Sequence, residues 1–162
     1  GLHITGMALG STSLYDWLAD MPTVQFRGAD HTHEIGVIRQ LENFVSINSA
    51  VEVDLYGQVN AEFAGGRQLS GTGGSVDFMR SARASRGGRS IVAMNATARG
   101  GTVSRIVPKV EMVTALRTDV DLVVTEFGVA KLDGIPVPER ARRLIQIAAP
   151  GFREELLDLA PV

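Results

Sequence analysis

The 162-residue sequence has no cysteine. That removes disulfides and cysteine-ligated metals from consideration, and it fits a reducing, cytoplasmic setting. No apolar run approaches the roughly 20 residues of a membrane-spanning helix, and the first residues carry no signal-peptide pattern. Acid is missing from the middle of the chain: no Asp or Glu falls between Asp77 and Glu111. With a net charge of −2, the chain lacks the overall basic excess of a general nucleic-acid binder. Nor do aromatic residues interleave with the cations as on a platform for stacking single strands.

What is present in the acid-free stretch is a run of cations: Arg80, Arg83, Arg86, Arg89, Arg99, Arg105 and Lys109. Glycine laces the same region, in Gly65-Gly66, in the loop Ser70-Gly71-Thr72-Gly73-Gly74-Ser75-Val76-Asp77-Phe78, and in Gly100-Gly101. Glycine admits close approach of backbone N–H groups to a ligand, and arginine forks match phosphate oxygens. The block therefore reads as a pocket for a polyanionic small molecule. The bland alternative is a solvated helix face, because Arg80, Arg83 and Arg86 are spaced by three.

Length and a hydrophobic content of 44% predict one domain spanning residues 1–162, able to bury about two-thirds of its unfolded surface. Ser11 or Ser13 should cap a short helix with Leu14, Trp17 and Leu18 inward, and Thr23 to Phe26 reads as a strand. A second helix carries Ile35, Ile38 and Leu41 inward. Phe44, Val45 and Ile47 read as a buried strand. Val51, Val53 and Leu55 alternate with Glu52 and Asp54, the mark of a half-buried strand, and Val59 to Phe63 should pair back after Tyr56-Gly57-Gln58. A helix over Val76 to Ala84 precedes strands at Ser90 to Met94 and Thr102 to Val107. Val120 to Thr125, β-branched and nearly all apolar, reads as an internal strand. Ala141, Leu144, Ile145 and Ala148 then line one face of a helix starting at Pro138-Glu139, and a final short helix carries Phe152, Leu156 and Leu159. The interleaving predicts an α/β fold, a mixed open sheet with flanking helices.

Five blocks in order carry a resemblance: Ser46 to Asn60, Gly71 to Phe78, Ser104 to Pro108, Val124 to Val129, and Glu139-Arg140-Ala141. Together they resemble the C-terminal domain of the acetyl-CoA hydrolase/transferase family, which includes 4-hydroxybutyrate CoA-transferases. The resemblance implies one lobe of a two-lobed CoA-transferase with the active site between lobes. Coenzyme A would be a substrate, exchanged between an acyl-CoA and a small carboxylic acid, with no prosthetic group, no metal, no nucleic acid and no membrane. It also implies covalent catalysis through a glutamyl-CoA thioester. The family's nucleophilic glutamate lies before the segment matching Gly6 to Leu18, so it is expected upstream of Gly1, and the 162 residues alone are expected to be inactive. The lack of an initiator Met at Gly1 suggests a piece of a longer protein whose N-terminal lobe is the partner. Homo-oligomerisation stays open. Glu52, Glu62 and Glu126 are accordingly not assigned as nucleophiles, and Glu126 reads as a structural carboxylate accepting backbone N–H bonds at a strand end.

By the same resemblance, His33 stands where many members have an asparagine that helps hold the thioester oxyanion, and an imidazole N–H could donate the same bond. Val51, Ser70, Gly74 and Arg99 match positions that contact coenzyme A, with Arg99 standing where a lysine is common, and Gly73 beside Gly74 permits the same close backbone approach. The neighbours of His33 (Asp30, His31, Glu34) do not turn it into a metal site, since an H-x-H pair lacks a placed third ligand. An acyl-CoA hydrolase of the same family, a non-catalytic nucleotide- or CoA-binding module, and a nucleic-acid-binding fragment remain as rival readings.

Overall fold

The computed structural model describes residues 1–161. Its N-terminal part pairs β1 (His3–Thr5) in parallel with β2 (Val24–Phe26) across α1 (Thr12–Ala19). Ser11 is the N-cap of α1, yet its Oγ bonds the Ser13 Oγ rather than a helix N–H. None of the α1 residues is buried: Trp17 is 51% exposed and Leu14 and Leu18 are only half-covered, so the expected inward stripe does not join the core. Two single turns follow, α2 (Ala29–Thr32) and α3 (Ile35–Ile38). Ile38 is buried but Leu41 is not, since the helix ends before Leu41 can face inward.

The main sheet is built from β3 (Val45–Asn48), with β4 (Glu52–Asp54), β5 (Val59–Asn60), β6 (Phe63–Ala64) and β7 (Arg67–Gln68) as short excursions after it. Then come α4 (Ser75–Ala84), β8 (Arg89–Ala93), the hairpin β9 (Thr97–Ala98) and β10 (Val103–Ser104), and β11 (Ile106–Val107). The chain ends with β12 (Leu122–Thr125), β13 (Gly128–Lys131), α5 (Val137–Gln146) and α6 (Arg153–Asp158). The four-stranded sheet has the order β13-β12-β8-β3, with β3, β8 and β12 parallel and β13 antiparallel. The strand read as internal from its apolar run is internal. A second sheet, β11-β4-β5, shares the same core. Among the described residues no helix is long and apolar enough to cross a membrane.

Met79 of α4, Leu144 and Ile145 of α5, and Val92, Val123 and Ala130 of the sheet form one cluster with Val53, Leu55 and Ile106. The α5 periodicity is realised in full: Ala141, Leu144, Ile145 and Ala148 are all buried. Two further expectations are reversed. The alternation with Val53 and Leu55 puts Asp54 on a polar strand face, yet it is fully buried. Its Oδ1 accepts the Tyr56 and Gln58 N–H groups at 3.0 and 2.9 Å, and its Oδ2 accepts Gln58 Nε2 at 2.8 Å. The carboxylate thus closes the β4–β5 turn from inside, where ladder partners are absent. Conversely, the apolar run predicts Val45 and Ile47 buried, but they stand 48% and 67% exposed.

Asp54→Ala would orphan several buried donors and should cost on the order of 3 kcal/mol. Asp54→Asn, which keeps one acceptor oxygen, should cost clearly less. Urea unfolding followed by circular dichroism checks the order of the two variants.

Candidate functional site

In an open parallel sheet the loops after the strands gather at one edge, and ligands bind there. Here that carboxyl edge carries the loop after β3 (Ser49 to Val51), the loop after β8 (Asn95-Ala96) and the one after β12 (Glu126-Phe127). Because α4 returns the chain from this edge to the start of β8, and packs on β3 and β8, its N-terminus and the preceding glycine loop also lie there. Of the six residues singled out from the sequence, Val51 lies in the loop after β3, Gly73 and Gly74 lie at the start of α4, and His33 packs on Gly74.

Two of these loops, after β3 and after β8, are tied together by Arg105, one of the cations of the acid-free stretch. Its N–H donates to Ala96 O at 2.8 Å, and its guanidinium Nε donates to Val51 O at 2.7 Å. Its Nη2 donates to Ala50 O. Burial lowers the Arg105 pKa, and the charge of Glu126 offsets part of that. Glu126 Oε2 in turn accepts the Ala96 N–H at 2.8 Å, the structural role expected of it. Glu62 accepts from Thr114 Oγ1 and Gln68 Nε2 at 2.8 and 3.0 Å. Glu52 accepts from Asn60 Nδ2 and the Glu111 N–H. Each of the three carboxylates set aside as nucleophiles is engaged in holding a turn or loop.

His33 and Gly74 are in direct apposition. A Cβ on Gly74 would lie 2.1 Å from His33 Cδ2 and 2.3 Å from Nε2, so glycine is what lets the ring lie on the loop. The ring also stacks at a tilt on Phe78, with centroids 4.7 Å apart, and Phe78 meets Phe44. His33 Nδ1 bonds Thr32 Oγ1 at 2.8 Å, which leaves Nε2 turned to the glycine loop. Gly73 adopts φ +57°, the left-handed region that side chains avoid. Gly74 caps α4 without a side-chain acceptor, so no side chain competes for the N–H groups of the first turn. Beside this group a cavity of about 510 Å³ opens between Ile4, Val37, Ile38, Phe44 and Phe78.

Ser70 is exposed and its Oγ donates to Gly71 O at 3.0 Å. Val51 is half-buried, its N–H bonded to Asn60 O and its carbonyl to Arg105. Arg99 is exposed at the tip of the β9–β10 hairpin with φ +50°, followed by Gly100 and Gly101 at +65° and +92°. A left-handed arginine is uncommon, and held strain of this kind is concentrated at functional positions.

The basic block does not form one pocket. Arg80 pairs with Asp119 at 3.3 Å, Arg83 with Asp121 and with Asp133 at 2.9 Å, and Arg86 with Glu42. Burial works against the Arg83 charge, but Asp133 and Asp121 outweigh it and push its pKa up, while Arg83 holds Asp133 below the usual carboxylate range. These acids come from outside the acid-free stretch, so a local count of charge could not see them. Arg83, Arg89 and Lys131 line a second cavity of about 440 Å³ with Asp121 and Asp133, at the opposite, amino edge of the sheet. Of the seven cations, only Arg99 and Lys109 are exposed without an ion pair or side-chain hydrogen bond among the described residues.

A mixed open sheet, three strands parallel and one antiparallel, with helices packed against it places the chain in the α/β class of open-sheet domains. Residues 10–160 match the Acetyl-CoA hydrolase/transferase C-terminal domain, and the chain belongs to that family. It is 46% identical over 161 residues to the 4-hydroxybutyrate coenzyme A transferase of Clostridium kluyveri, covering 98% of this chain and 38% of that one. It superposes on RipA from Yersinia pestis with a TM-score of 0.89 at 41% identity, covering 98% of this chain and 35% of RipA. The 4-hydroxybutyrate CoA-transferase of Porphyromonas gingivalis gives 0.83 at 39% identity, with 97% and 36% covered. The chain thus spans little more than a third of the length of the relatives it matches.

Gly74→Ala should cost about 1–3 kcal/mol of stability while the His33 ring is in place. In a His33→Ala background the same substitution should cost less than about 0.5 kcal/mol. A double-mutant cycle by urea unfolding checks this, and equal costs in both backgrounds would separate the two residues.

Proposed function

We propose that this segment is the coenzyme A-gripping part of an enzyme that moves CoA from an acyl-CoA to a small carboxylic acid. CoA is a substrate here rather than a prosthetic group. Val51, Ser70, Gly73, Gly74 and Arg99 contact it, and a glutamate outside this segment is the nucleophile. That carboxylate attacks the thioester carbonyl and expels CoA as thiolate, leaving an acyl-glutamyl anhydride. The thiolate then attacks the glutamyl carbonyl and releases the first acid, leaving glutamyl-CoA. The incoming carboxylate reverses both steps. With the Thr32 hydroxyl donating a hydrogen bond to Nδ1, Nε2 carries the ring's N–H and donates it to the oxyanion of the tetrahedral stages. The lack of cysteine supports a cytoplasmic setting.

The observation that carries this reading is the apposition of His33 and Gly74 at the carboxyl edge, where an N–H donor on an imidazole and an unobstructed helix start face the same space. Hydrolysis, with water as the final acceptor, is the second reading, because the family's description covers hydrolases as well as transferases. The transferase reading comes first because the Clostridium kluyveri relative, at 46% identity, is a transferase.

The full-length protein, given acetyl-CoA and a carboxylic acid acceptor, should form the new acyl-CoA in preference to free CoA, and residues 1–162 alone should give no turnover. Free CoA as the main product would select the hydrolase, and no reaction with a panel of acyl-CoAs would sink the enzymatic reading. Arg99→Ala should weaken CoA binding by about 1.5–3 kcal/mol, the worth of one charge-assisted contact. Calorimetry finding unchanged affinity would take Arg99 out of the site.

A further inference from the structure

Burial alternates along every strand of the main sheet, and it leaves one face bare. Ser46, Ser90, Val92, Val123, Thr125 and Ala130 are buried, whereas Val45, Ile47, Ile91, Ala93, Val124 and Val129 are exposed or only half-buried. The registers set Ile47, Ile91, Leu122 and Lys131 in one row across the sheet, and Ala93, Val124 and Val129 in the next. The buried set joins the cluster containing Met79 of α4 with Leu144 and Ile145 of α5, so both long helices clothe the same side. On the other side Ile47 and Val129 are 67% and 61% exposed, and charge enters only at the amino end, with Arg89 and Lys131. Parallel strands are ordinarily covered on both faces, and a continuous apolar surface of this kind marks an interface.

We propose that this face is the seat of the remaining polypeptide of the full-length protein, which lays an apolar surface across β3, β8, β12 and β13. Two observations favour that occupant over a second copy of the segment. The matched relatives carry their additional length, about two thirds of each chain, in one polypeptide with this fold. And the last bare row, Ala93, Val124 and Val129, carries no charge and lies next to the carboxyl edge, so whatever covers this face borders that edge and can bring a reactive group to it. The proposal rests on family membership and not on the catalytic reading.

The test uses full-length protein carrying Ile47→Cys or, separately, Val129→Cys, with Arg86→Cys as an exposed control whose side chain is 82% accessible. Reaction with N-ethylmaleimide is followed at the named position by peptide mass spectrometry. Hydrogen exchange of the unsubstituted protein over β3 guards against a variant that does not fold. The expected result is reaction at 47 and 129 more than about 10-fold slower than the control, unchanged on dilution, with slow exchange in β3. Reaction within that margin of the control, or rapid β3 exchange, overturns the proposal. Protection that disappears on dilution together with dissociation of a dimer assigns the face to a second copy, and also overturns it. No substrate is needed, so loss of the enzymatic reading and loss of this one are separate results.

Discussion

The arrangement of the carboxyl edge depends on one side chain. Arg105 reaches from the β10–β11 segment to the carbonyls of Ala50 and Val51, while its own N–H holds Ala96. Loops after parallel strands have no ladder to fix them, so their backbone groups must find partners elsewhere. A guanidinium is suited to this, because its planar fork can satisfy two carbonyls at once. The cost of burying that charge is offset by Glu126, which is itself pinned by Ala96. Arg105 and Glu126 thus join the loops after β3, β8 and β12 into one rim, on which Val51 sits and from which the Arg99 hairpin projects.

Around that rim the glycine loop and His33 form a second unit. Its geometry is steric rather than electrostatic: the ring occupies the volume that any side chain at position 74 would take. Phe78 and Phe44 back the ring, and α3 packs on α4, so two short turns are held against the start of the helix. The remaining arginines of α4 serve a different end of the molecule. Arg80 and Arg83 pair with Asp119, Asp121 and Asp133, and Arg86 just after the helix pairs with Glu42, which binds the helix to the opposite edge.

Much of this was legible in the sequence because local pattern and tertiary environment agreed. The β12 run, the α5 stripe and the β4–β5 return each carried their own period, and the ordered blocks identified the family. The failures share a cause. Sequence pattern reports apolarity and local charge, not what lies opposite. Asp54 looked solvated because nothing local shows the turn folding over it. The cation block looked like a pocket because its acids lie 38 to 50 positions away for Arg83, and 39 for Arg80. Val45 and Ile47 read as buried, which the wider context of a covered parallel sheet would make them. Arg105 could not be singled out, since a strap between loops requires knowing which loops meet.

The central claim is that coenzyme A lies along the carboxyl edge, between the Arg99 hairpin and the His33–Gly74 pair. A crystal structure of the full-length protein with bound coenzyme A tests it most directly. The account predicts density for the thiol arm against Gly73 and Gly74, and for a phosphate within reach of Arg99. Density instead at the amino edge, among Arg83, Arg89 and Lys131, would contradict it.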